Sequence, residues 1–186
     1  MSSQFYCASP PEQRSCADNC VPKWSLGTRG KHKMKPLSVD PEKLEELQKY
    51  CIDFAKQMLE SHGEFHPFGA TINSSGALVT HGAWNGEEHP PGQELAKILI
   101  MAFKKEFSEG AILAAALAAN VNIPAKFQAP YPDGIRVIIE FRGYANARVI
   151  FLPYQMADKS FGSRPNKKSV EYADFLTVET PHIIQK

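Results

Sequence analysis

The chain lacks a long apolar run, a dominant sign of charge, and any compact motif of catalysis or phosphate binding. Its longest stretch of small apolar residues, 111–119, is mostly alanine and falls short of the roughly 18 residues that a membrane-spanning helix needs. With 21 Lys and Arg against 20 Asp and Glu, the formal net charge is +1, which argues against nucleic acid as a partner. No basic segment followed by an apolar one opens the chain, so no secretory signal is read and the expected location is cytoplasmic. There is no G-x-S-x-G and no H-E-x-x-H, and GTRGK at residues 27–31 lacks both the phosphate-loop pattern and a preceding strand. Enzyme activity is the less favoured class, and no catalytic residue is assigned.

Cysteine is scarce as well. Of four, Cys7, Cys16 and Cys20 fall in a polar leader and Cys51 in a helical core stripe. The leader thiols with His32, or His66 and His81 of a hairpin, are the candidate zinc ligands. The paired C-x-x-C knuckles that would make this a strong zinc signal are missing. The default is therefore no cofactor, with zinc the alternative. Cys51 with a histidine would be the thiol-enzyme reading, but buried thiols are normally inert.

What is present begins with a leader over residues 1–36, punctuated by Pro10, Pro11, Pro22, Gly27, Gly30 and Pro36 and poor in apolar side chains. Its Lys23, Arg29, Lys31, Lys33 and Lys35 form an arm suited to an acidic partner or nucleic acid or, more simply, a solvated tail. A single domain is expected over 37–186. Asp40-Pro41 supplies an N-cap and a first helical residue, and Leu44, Leu47, Cys51, Phe54, Ala55, Met58 and Leu59 recur at helical spacing up to Gly63.

Residues 65–72 and 77–84 read as strands around Asn73-Ser74-Ser75-Gly76, a turn closed by a left-handed glycine. A second helix is expected over 93–109, ended by Gly110. Residues 111–123 have helical propensity in their alanines but strand context at both ends, and a strand is the reading adopted.

Residues 133–154 give the firmest hairpin. Ile135, Val137, Ile139 and Phe141 alternate with Arg136, Ile138, Glu140 and Arg142, the period of two of a half-buried strand. Residues 172–178 read as a short strand or helix on the sheet edge. The expected fold is thus α+β: a five-stranded antiparallel sheet with two helices on one side, in the order helix-strand-strand-helix-strand-strand-strand. That order is similar to the roadblock/longin and profilin-like architectures.

Two segments carry a family resemblance. EFHPFG at residues 64–69, followed by Ser75-Gly76, and DGIRVIIEFR with ARVIFLPYQ at 133–155 resemble a group of small, functionally uncharacterised bacterial proteins. The resemblance covers about residues 44–161 and implies a common domain, with no activity and no catalytic residues to carry over.

Aromatic residues at strand ends, Phe68, Trp84 and Tyr154, are candidate partner anchors, because Trp and Tyr are frequent interface hot spots. Arg136, Glu140 and Arg142 would line the solvated face of the sheet as a second contact surface. The expected function is a small interaction or regulatory module that binds a protein partner or forms a homodimer, with no role at a membrane. The alternatives are a metal- or thiol-dependent enzyme and an immunity-type protein that neutralises a toxin.

Overall fold

The computed structural model describes residues 39–88, 90–156 and 168–185. The leader expected over 1–36, with Cys7, Cys16, Cys20 and His32, lies outside the described residues. The first helix, α1, spans Pro41–His62. Asp40 caps it by accepting from the Glu42 N–H at 3.1 Å, and Pro41 starts it where no donor is needed. Its Leu47, Cys51, Ile52, Ala55 and Leu59 are buried in one stripe.

Strands β1 (Phe68–Asn73) and β2 (Leu78–Gly82) form the first hairpin. The Asn73 carboxamide closes its turn, accepting from Ser75 N–H and Ala77 N–H, and Gly76 takes a φ of 83° that a side chain would resist. Helix α2 (Gly92–Glu109) follows, then β3 (Ile112–Asn122), which confirms the alanine run as a strand. A single 3-10 turn at Ala125–Phe127 leads to β4 (Asp133–Phe141) and β5 (Ala147–Met156), and two further strands close the chain, β6 (Val170–Tyr172) and β7 (Leu176–Thr180).

The sheet has seven strands rather than five, all paired antiparallel in the order β2-β1-β3-β4-β5. β6 and β7 share the outer edge of β5, β6 against Tyr154–Met156 and β7 against Ala147–Phe151. The additional strands are three and five residues long, too short for periodicity to mark them clearly.

The two helices do not lie on one side. α1 packs with Ala70, Ile72, Ala114, Ala116, Val137, Ile139, Ile150 and Leu152, while α2 packs through Leu99, Phe103 and Phe107 on Ala115 and Leu117 of the opposite face. Alanine in β3 follows from this sandwiching, since small side chains leave room for a helix on each face. Gly69, on the neighbouring strand, is tighter still: a Cβ there would meet the Phe103 ring at 2.4 Å. With both faces covered, β4 is not half-buried, and Ile138 and Glu140 are as inaccessible as Ile135 and Val137. No described helix is long and apolar enough to cross a membrane.

Candidate functional site

Arg136 and Glu140 of β4, and Arg142 one residue past its end, lie toward the α2 side of the sheet, and the chain treats each differently. Glu140 is fully buried. Its carboxylate accepts from the backbone N–H groups of Ile183 (2.6 Å), Ile184 (2.8 Å) and Gln185 (3.0 Å) and faces His182 Nδ1 at 2.9 Å. Residues 181–185 thereby form a strap across the sheet, with Ile184 buried against the α2 cluster. Arg142 is turned back to its own chain: Nε donates to Ile112 O at 2.9 Å, a terminal nitrogen donates to Phe107 O, and the guanidinium lies over the Phe107 ring. It satisfies a carbonyl at the C-terminal end of α2, where a cation is favoured. An open Arg136/Glu140/Arg142 stripe is therefore not what the fold presents. Cover supplied by α2 and the strap has converted two of the three into internal anchors.

Arg136 has no such answer. It is half-buried, and its Nε is shut away from solvent without a hydrogen-bond partner. Burial pulls its guanidinium pKa below the ordinary arginine value. It lines a cavity of about 370 Å³ at the first turn of α2. Phe65, Pro67, Ala96 and Val121 give that cavity apolar walls, and none of the described residues lining it is acidic. His66, Gln93 and Asn120 are its polar members besides Arg136. The turn of α2 that borders it begins after Pro91, which offers no side-chain cap.

The aromatic candidates divide. Phe68 is buried, edge-on to both Phe54 and Phe65. Tyr154 is buried too and donates its hydroxyl to Asn120 Oδ1 at 3.0 Å. Both belong to the core of the α1 face. Trp84 is 75% exposed just beyond β2, its Nε1 donating to Glu87 O at 3.1 Å.

β2 itself is an edge strand with no neighbour on its outer side among the described residues. The Asn73 N–H donates to Ala77 O at 3.0 Å. By the alternation of an antiparallel ladder, Thr71–Val79 and Gly69–His81 are then the bonded pairs, and Leu78, Thr80 and Gly82 turn their peptide groups outward. Beside β2, His81 packs edge-on to Phe103 of α2, and α2 exposes Ile98 and Met101.

His66 and His81 do not converge on a shared site. His66 is exposed on the cavity rim, while His81 meets Thr71 Oγ1 at 2.9 Å. Among the described residues no three His, Cys, Asp or Glu side chains are arranged to hold a metal. Burial pushes the Cys51 thiol up to about 12, so it carries no useful thiolate near neutral pH. Sequence reasoning missed the strap and the cavity partners Phe65, Gln93 and Asn120. Ile183-Ile184, an apolar pair in a polar ending, was the available signal for the first; nothing local marks the second.

No family model matches this chain, and it finds no match among curated proteins or solved structures.

Proposed function

We propose that the protein is a small interaction module that self-associates through β2, two copies pairing edge to edge into one continuous antiparallel sheet. The observation that carries this reading is the undefended β2 edge. Natural edges are blunted by charge, proline, bulges or shortness. The sequence of β2, LVTHG, has no Lys, Arg, Asp, Glu or Pro. The opposite edge is divided between the three-residue β6 and β7, which at five residues matches β2 in length, but it carries Glu171 and Glu179 and is followed by Pro181.

A second copy is the occupant that fits. About a twofold axis through Thr80, the outward peptide groups of Leu78 and Gly82 meet those of Gly82 and Leu78 in the second copy, Thr80 meets its own equivalent, and no like charges are brought together. Val79, 40% exposed, and Trp84 would supply apolar contact on either side of the new ladder. The free, buried thiol of Cys51 is at home in a reducing compartment and supports a cytoplasmic location.

Light scattering across a concentration series tests the pairing. Wild type is expected to run as a dimer, and Val79→Lys, which places a charge on the exposed edge, as a folded monomer. Trp84→Ala is expected to weaken the dimer by about tenfold or more, a typical hot-spot loss. A wild-type monomer at every concentration, or a dimer indifferent to Val79→Lys, would refute it.

A further inference from the structure

We infer that the cavity beside Arg136 is a binding site for a small organic anion, a carboxylate attached to an apolar body. A cation partly withdrawn from water is normally paired, because it gives up part of its hydration and gains nothing in return. Glu140 of β4 has four donors facing it, and Arg142 just past the strand has two carbonyls and an aromatic ring. Arg136 alone is left with a buried, unbonded Nε, and it is left so at the wall of an open cavity rather than in packed core. Of its side-chain nitrogens only Nε is shut away, so a partner arriving through the cavity would meet the guanidinium at its terminal nitrogens.

The chemistry of the walls narrows the class. A guanidinium presents a planar fork that a carboxylate or a phosphate can meet with two hydrogen bonds. Phe65, Pro67, Ala96 and Val121 cannot stabilise a fully hydrated ion such as inorganic phosphate, whereas they do shed water against an aliphatic or aromatic body. The volume, about 370 Å³, falls within the usual range for small-molecule sites and excludes a bulky ligand. Gln93 at the cavity wall adds an amide donor, and the uncapped start of α2 adds a favourable field for an anion.

Benzoate, hexanoate, methyl benzoate and inorganic phosphate, titrated into the full chain and followed by amide chemical shifts, test the assignment. Saturable shifts at Gly92, Gln93 and Ala119 are expected with benzoate or hexanoate, and none with the neutral ester. Arg136→Met is expected to weaken that binding by roughly tenfold or more, the worth of a charge-assisted pair. Ala96→Leu, which narrows the cavity and leaves the charge, should weaken it as well. If neither carboxylate produces saturable shifts, or Arg136→Met binds them as wild type does, the site is overturned. Phosphate binding as tightly as the carboxylates would overturn the assignment of an apolar-bodied ligand. Oligomeric state, read in the same samples, is expected to be unchanged by Arg136→Met, so failure here is separable from failure of the β2 dimer.

Discussion

Glu140 and Arg136 project from the same face of β4, four residues apart, and neither is left in bulk water. Around Glu140 the chain has built a full set of donors from its last residues. Around Arg136 it has built apolar walls and, among the described residues, no acceptor for Nε. The difference separates a charge used to hold the fold from a charge kept ready for something else. In the first case the cost of burial is offset within the chain whenever it folds. In the second it is offset only when a partner arrives, and the folded protein alone carries the penalty.

Removing the satisfied charge should have the largest effect. Glu140→Ala takes away the acceptor of three backbone N–H groups at once and frees the strap that buries Ile184. A loss of about 3 kcal/mol is expected, below the sum of the separate hydrogen bonds because the freed strap regains water. Urea unfolding measures it, and hydrogen exchange should show the amides of Ile183, Ile184 and Gln185 losing protection together. If the unfolding midpoint stays at the wild-type value, Glu140 is not an anchor and the contrast with Arg136 disappears.

How far this contrast could be read from sequence depends on how far away the partners lie. α1 was legible because its signals are local: Asp40 and Pro41 at the start, apolar residues at helical spacing, Gly63 at the end. The β4–β5 hairpin was legible for the same reason, and Ile135 and Val137 do face Leu152 and Ile150 as the alternation implies. The period of two also placed Arg136, Glu140 and Arg142 together on the second face correctly. It could not say that this face is covered, because the cover comes from Phe107 and Ile112, about thirty residues earlier in the chain, and from residues 182–185, more than forty later. A charged residue in an alternating strand reads as solvated by default, and only long-range contacts reverse that.

The same limit explains the helices. Their existence follows from their own residues, but which face each one covers is decided by the path of the chain. Gly69 and Thr71 give one face of β1 little bulk, which accommodates α2, yet that pattern is equally that of a weak strand. Phe68 and Tyr154 are candidates for contact because they stand at strand ends, and in sequence they lie next to Gly69 and Pro153. In the fold those neighbours mark close packing, which is also why the aromatics beside them are buried.

A narrower cut sharpens the comparison. His182→Ala removes one contact to Glu140 and leaves the three backbone donors in place. Its ring also meets Tyr144 O at 2.9 Å through Nε2, so the substitution loosens the strap from the β4–β5 turn as well. A cost of about 1 kcal/mol is expected, the ordinary net worth of a hydrogen bond. The same urea experiment resolves it. A loss equal to that of Glu140→Ala would show that the histidine, rather than the backbone donors, holds the carboxylate.

Arg136→Met should have the smallest effect on the free protein, with the opposite sign. The replacement is apolar, of comparable length, and leaves no unpaired donor where Nε was buried. Substitutions of that kind at an uncompensated charge are neutral or stabilising, so the unfolding midpoint should stay level or rise by up to about 1 kcal/mol. Saturating benzoate should reverse the order, because a ligand that binds only the folded state stabilises wild type by mass action and leaves the variant where it was. A clear loss of stability in the unliganded variant would mean that the guanidinium already has a partner within the chain. Arg136 would then belong with Glu140 and Arg142 as an internal anchor, and the cavity would lose the charge that makes it a site.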